Sequence, residues 1–225
     1  MRSWLARRWY DTTYWSALAG FTLGWSLRAT GRRHMPLSGP ALLVSNHQSF
    51  LDPPLIGLVS PRPYLTFLAR QSLFRNRFLS GFFSSLGGIP IDHKGLGRAG
   101  LQATLDALER GEAVVVFPEG ERTQDGRMHP FEPGVSLLVK RVKAPIVPIG
   151  LAGAYDAWSR HQMLPRPAPL FLAPGKGTLA VAIGKPLDPA PLAKLSRQEM
   201  LHTLFAAVAA CAAEAERIRR KPKKN

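Results

Sequence analysis

Ala41-Leu42-Leu43-Val44-Ser45-Asn46-His47-Gln48-Ser49-Phe50-Leu51-Asp52-Pro53-Pro54 decides the fold class. Its first five residues are apolar or small with no polar alternation, the pattern of a strand buried on both faces. Its last three predict a helix start, with Asp52 as N-cap and Pro53 at the first helical position. Working outward, similar runs occur at Tyr64 to Leu68, Gly88 to Ile91, Ala113 to Phe117, Ile146 to Leu151 and Thr178 to Ile183. Helical spacing lies between them. Leu101, Leu105 and Leu108 share a face between Leu96 and Arg110, ahead of Gly111, and Val135, Leu138 and Val142 share another. Strands and helices in alternation predict a single α/β domain, a mixed, largely parallel sheet flanked by helices. Ligands of such sheets collect at the carboxyl ends of the strands.

A chain of 225 residues with 45% hydrophobic content is long enough for one sizeable core. The single cysteine, Cys211, leaves no internal disulfide and no cysteine-based zinc site, which fits a reducing compartment. A net charge of +15 favours a polyanionic partner: nucleic acid, an anionic bilayer or an acidic carrier protein. Residues 1–33 read as a membrane-associating helical segment, 34–195 as the α/β domain, and 196–225 as a carboxyl-terminal helix with a basic tail. Arg2, Arg7 and Arg8 precede an uncharged stretch from Thr12 to Leu27, and Arg28, Arg32 and Arg33 follow it. As a helix that stretch reaches only ~24 Å at about 1.5 Å per residue, short of the ~30 Å hydrocarbon core. Trp4, Trp9, Tyr10, Tyr14, Trp15 and Trp25 suit the headgroup level, so the helix is expected to lie in one leaflet, with a buried core helix as the alternative. A signal peptide is disfavoured, because Arg28 intrudes where a small-residue cleavage site belongs. Ser196 and Glu199 form a capping-box pattern ahead of the last helix. Its tail, Arg217 to Lys224, is either solvated or set on lipid headgroups.

His47 falls on a loop and Asp52 at the mouth of the following helix. A carboxylate accepting from one imidazole nitrogen leaves the other to take a proton from a substrate hydroxyl. The same spacing also fits a histidine near a strand end beside an ordinary helix cap. Other chemistries fit less well. Gly134-Val135-Ser136 continues into Leu137 and Leu138, so there is no nucleophile elbow. The histidines do not fall at zinc-ligand spacings, and no phosphate loop ending in Gly-Lys-Ser or Gly-Lys-Thr occurs. Glu119 and Glu121, alternate residues at a strand exit, point to opposite sides and make a poor acid and base pair.

Further strand ends deliver Gly88-Ile89-Pro90-Ile91-Asp92-His93-Lys94, then Phe117-Pro118-Glu119-Gly120-Glu121-Arg122, then Pro145-Ile146-Val147-Pro148-Ile149. With Asn46, His47 and Asp52, these four segments in this order resemble the glycerolipid acyltransferase family that includes 1-acylglycerol-3-phosphate acyltransferases. That family carries Asn-His, four residues and Asp; a Gly-aliphatic stretch ending in Arg; Phe-Pro-Glu-Gly-x-Arg; and a Val-Pro-rich strand. The match runs from about Leu42 to Gly150, half of the chain.

The resemblance implies an enzyme that moves a fatty acyl chain from acyl-CoA or acyl carrier protein to a lysophospholipid hydroxyl, with 1-acyl-sn-glycerol 3-phosphate ranked first. Glycerol 3-phosphate, another lysophospholipid or a lyso-ornithine lipid are alternative acceptors. It implies His47 as general base, Asp52 as its orienting partner, and Glu119, Gly120 and Arg122 around the acceptor. Two positions depart from the family. His93 stands where Arg is usual, leaving Lys94 to supply charge without a bidentate fork, and Glu121 stands where a small polar residue is common. Glu121 reads as a solvent-facing loop charge. The reaction so implied takes no metal and no other cofactor. The expected setting is the cytoplasmic face of the cell membrane, with an anionic lipid surface and not nucleic acid as the partner. Nucleic-acid binding is the leading non-enzyme alternative, since it explains the charge but not the four ordered segments.

Overall fold

Leu42, Leu43 and Val44 of the strand β2 (Ala41–Ser45) are fully buried, and they face two different cores. Leu43 meets Leu55, Ile56, Val115 and Ile149 on one side, while Leu42 and Val44 meet Leu101, Val114, Leu138 and Leu204 on the other. A strand between two apolar layers carries no polar alternation, which is why this run reads as continuous. The computed structural model describes residues 4–71, 88–91 and 97–220. Around β2 stand β1 (Arg28–Thr30), β3 (Leu65–Arg70), β4 (Gly88–Ile91), β5 (Ala113–Val116), β6 (Ile146–Ala152) and β7 (Ala180–Ile183). They form one sheet in the order β1-β7-β6-β2-β5-β3-β4. Every neighbouring pair is parallel except β6 with β7. The mixed, largely parallel sheet is therefore present as the alternation predicts.

Helices α1 (Trp4–Trp25) and α2 (Asp52–Val59) lie over the first core, where Phe21 and Trp25 of α1 pack. Helices α3 (Arg98–Glu109), α4 (Gly134–Arg141), α6 (Pro189–Ala193) and α7 (Arg197–Ile218) cover the other face, and the short α5 (Ala154–Trp158) follows β6. The last helix opens on the expected capping box: the Ser196 hydroxyl accepts from the Glu199 amide, and the Glu199 carboxylate accepts from the Ser196 amide. It lies so close to β6 that a Cβ on Gly150 would meet the Ala212 nitrogen at 2.0 Å. The alanine-rich face of α7 permits that approach.

Three features differ from the sequence reading. Thr178 and Leu179 precede β7, which begins at Ala180, and β3 runs two residues past Leu68. β1 carries no periodic signal because it is a three-residue edge strand. Asp52 is the first residue of α2 and does not cap it; Leu51 holds the N-cap position. A cap at Asp52 would accept from the amides two and three residues on. Residue 54 is proline and has no amide, so the carboxylate turns back to the preceding loop.

At the amino end, α1 is longer than the uncharged stretch. It stops at Ser26, a buried residue in the left-handed region with φ 51°. Among the described residues no helix is long and apolar enough to cross a membrane.

Candidate active site

Asn46, the first residue after β2, locks that strand end to β6. Its side-chain amide donates to the Leu151 carbonyl at 3.1 Å and accepts from the Leu151 amide at 2.8 Å. The chain then turns so that His47 Nδ1 donates to Asp52 Oδ2 at 2.7 Å. The same oxygen accepts from the main-chain amides of Gln48 and Ser49, at 2.5 and 2.8 Å. Asp52 is fully buried, and the His47 side chain keeps 18% of its surface. A carboxylate can only accept, so Nδ1 carries the proton and Nε2 is left as the basic nitrogen. The His47 ring stacks on Phe117, with centroids 4.0 Å apart and planes at 16°. Phe117, the last residue of the predicted strand after Val116, is thus the wall that holds the imidazole flat.

The loop leaving β5 grips His47 by its main chain. Glu119 Oε1 accepts from the His47 amide at 2.7 Å, and the Thr123 amide donates to the His47 carbonyl at 2.9 Å. The other Glu119 oxygen accepts from the His129 amide at 2.8 Å. Burial pushes the Glu119 carboxyl up to about 7, against the downward pull of those two amides. Gly120 has φ +75°, a left-handed conformation that favours glycine, and a Cβ there would crowd the Glu132 carboxylate at 2.3 Å. The Arg122 guanidinium lies 3.4 Å above the Phe50 ring, which brings a planar cation onto the loop of His47 and Asp52. Glu121 is half-exposed and 3.5 Å from Arg160, whose guanidinium also donates to the Arg122 carbonyl at 3.3 Å. His93 and Lys94 lie outside the described residues. Among those described, no three His, Cys, Asp or Glu side chains cluster to hold a metal ion.

The profile of the Acyltransferase family matches residues 26–152, more than half of the chain and all of the strand exits just described. This chain belongs to the Acyltransferase family. It is similar to the 1-acyl-sn-glycerol-3-phosphate acyltransferase of Bacillus subtilis, 26% identical over 183 residues that cover 81% of this chain and 84% of that one. It is similar also to the chloroplastic 1-acyl-sn-glycerol-3-phosphate acyltransferase BAT2 of Brassica napus, 34% identical over 55% of this chain but only 36% of the relative. The chain thus spans most of the bacterial relative and well under half of the plant one. In fold it is similar to the crystal structure of the 1-acyl-sn-glycerophosphate acyltransferase PlsC from Thermotoga maritima. That likeness has a TM-score of 0.74 at 20% identity, covering 96% of this chain and 81% of that chain.

Several residues of this candidate site escaped the sequence reading. Phe117, Ser49 and His129 were not singled out: Phe117 packs, the Ser49 hydroxyl donates to the Trp158 carbonyl at 2.6 Å, and His129 serves Glu119 through its amide while its ring pairs with Asp125 at 3.1 Å. Glu132 had a usable signal, since a glycine beside Glu119 and a second glutamate before Pro133 suggest close approach of two segments. Arg160 could not be found from spacing, because α5 alone brings it back to the β5 loop.

Proposed function

We propose that this acyltransferase transfers a fatty acyl chain from acyl-CoA or acyl carrier protein to the free hydroxyl of 1-acyl-sn-glycerol 3-phosphate, giving phosphatidate. The observation that carries the reading is the His47 Nδ1 to Asp52 contact of 2.7 Å, which leaves Nε2 as a base at a cleft where Arg122 supplies a cation. The acceptor oxygen attacks the thioester carbonyl carbon while His47 Nε2 takes its proton. The carbon–sulfur bond breaks, and the protonated imidazole returns the proton to the leaving thiolate. Asp52 stabilises the imidazolium between these steps. Arg122 meets the acceptor phosphate through a planar fork, and Lys94 adds a positive charge in the place of the family's arginine. Glu119 and Gly120 shape this subsite through the main chain.

The enzyme works at the cytoplasmic face of the cell membrane, with α1 lying in one leaflet. Trp15 is 65% exposed and Leu23 54% exposed on the helix whose Phe21 and Trp25 pack inward, an arrangement that suits a lipid-facing side. The +15 charge then meets anionic headgroups, or an acidic carrier protein as donor. Purified protein given mixed lyso-lipids with both acyl donors, and analysed by mass spectrometry, should yield phosphatidate as the main product. Transfer to a phosphate-free lyso-lipid in preference would overturn the acceptor assignment while leaving the His47 chemistry in place.

A further inference from the structure

The segment after α5 bridges the loops that carry His47 and Arg122 and the end of α1, and it displays large apolar side chains outward. Trp158, at its start, accepts the Ser49 hydroxyl, and Arg160 reaches the Arg122 carbonyl. At its far end Ala168 and Leu170 donate their amides to the Gly24 and Leu23 carbonyls, both at 2.8 Å. Between and beyond these ties Met163 is 94% exposed, Leu164 77% and Phe171 79%, with Leu172 also exposed. Large apolar side chains this exposed and this close in sequence form a patch that needs a partner.

The backbone beneath the patch is built to hold it out. The Arg220 guanidinium donates to the carbonyls of Pro169, Leu170 and Leu172, at 3.3, 2.6 and 2.7 Å. The indole of Trp25 donates to the Arg166 carbonyl at 2.9 Å, and the Ser26 hydroxyl to that of Ala168 at 2.8 Å. Polar main-chain atoms are thereby paired inward and apolar side chains are displayed outward.

The charge around the patch selects among partners. Between Asp156 and Asp188 there is no acidic residue, whereas Arg160, Arg166, Lys176 and Lys185 all fall in that interval. Two copies meeting through this segment about a two-fold axis would set these cations against each other. An anionic bilayer takes both the apolar side chains and the basic rim. We propose that residues 160–172 form a second membrane-inserting element, whose Met163, Leu164, Phe171 and Leu172 enter an anionic leaflet beside the mouth of the cleft. With the end of α1, to which it is hydrogen-bonded, it gives the enzyme a broader inserting face and turns the His47 site toward the lipid. The inference rests on the membrane-surface reading of the proposed function.

A fluorophore that brightens in apolar surroundings, attached to the full chain at Phe171→Cys, tests it. Cys211 is buried with its thiol pushed up to about 11, so the new cysteine labels selectively. On phosphatidylcholine vesicles containing phosphatidylglycerol the label should brighten and be quenched by lipids with brominated acyl chains. A label at Lys194→Cys, on the α6 side of the sheet, should do neither. The combined variant Met163→Ser, Leu164→Ser, Phe171→Ser and Leu172→Ser should bind these vesicles ~10-fold or more weakly. Its turnover of a dispersed short-chain acceptor should stay within about 2-fold of the parent. A silent Phe171 label on vesicles that the protein does bind overturns the insertion while the membrane reading stands. Failure of the parent chain to bind vesicles sinks both. Brightening that depends on protein concentration without vesicles makes the patch a self-association surface and overturns the proposal. Should the combined variant not fold, the label at position 171 decides alone.

Discussion

The loops leaving β2 and β5 sit side by side at one end of the sheet, and each buries a carboxylate, yet the two acids serve different masters. Asp52 receives a side chain, the His47 imidazole, together with two amides of its own loop. Glu119 receives only main chain, the amides of His47 and His129, which it ties together. One acid orients the His47 ring; the other fixes the main chain that carries it. Residue type and burial are alike for the pair, so the role is fixed by the donor each one meets.

The sharpest way to break that comparison is to remove the proposed base. His47→Ala should lower turnover by on the order of 100-fold to 10,000-fold, the span of a lost general base. Folding should be nearly unchanged, because the Glu119 and Thr123 contacts to residue 47 are made by its main chain. Asp52→Asn should also be slow, since a neutral amide oxygen stabilises an imidazolium far less than a carboxylate does. Single-turnover kinetics with circular dichroism of both variants would check this, and near-normal transfer by His47→Ala would remove the mechanism.

Next in size is the response of Glu119 to pH. Its folded pKa is about 7 against an ordinary 4.5, so across that window the folded state holds more protons than the unfolded one. Stability contributed by this group is therefore full below about 4.5 and lost as pH rises through about 7. Relative to Glu119→Gln, the parent should lose about 3 kcal/mol between pH 4.5 and 7.5. Urea unfolding of the two proteins across that range gives the difference directly. Parallel profiles would mean that the two amides keep the carboxylate ionised throughout.

How much of this was legible in the sequence follows the same division. The strand exits and the His47 to Asp52 pairing could be read because each rests on spacing within one short segment, and the largely parallel sheet because strands and helices alternate along the chain. Burial on both faces could be read too, since strands such as Leu42 to Val44 announce themselves by unbroken apolarity; their order in the sheet could not. What Glu119 does could not be read: its partners are amides, and every residue has one. Its motif pointed to the acceptor, whereas its described contacts run to the backbone. The cap at Asp52 was misplaced for a local reason, the missing amide of Pro54. The exposed residues from Met163 to Leu172 carry no signal of their own in the sequence, since exposure is a property of the fold.

The acceptor side gives a smaller effect. Arg122→Lys keeps the charge but loses the planar fork and its stacking over Phe50. A charge-assisted contact of ~1.5 to 3 kcal/mol corresponds to a loss of roughly 10-fold to 150-fold in kcat/KM for a phosphate-bearing acceptor. A phosphate-free acceptor should lose far less, and equal losses for the two would place the guanidinium in a purely structural role.

The smallest effect belongs to Glu121, next to Arg122 on the same loop. Its side chain is 47% exposed and pairs with Arg160 at 3.5 Å, a geometry in which an ion pair contributes roughly 0 to 1 kcal/mol. Glu121→Gln should leave kcat and stability within about 3-fold and within about 1 kcal/mol of the parent, respectively. The sign for substrate is the informative part. Removing a negative charge beside the proposed phosphate subsite should lower KM slightly, by about 3-fold or less, and only at low ionic strength, because exposed charges are screened over ~8 Å in physiological salt. A phosphate-free acceptor should show no change in KM at any salt concentration. A loss of 100-fold would instead put Glu121 in contact with the reacting groups, and the division of labour between the two loops would have to be redrawn around a third carboxylate.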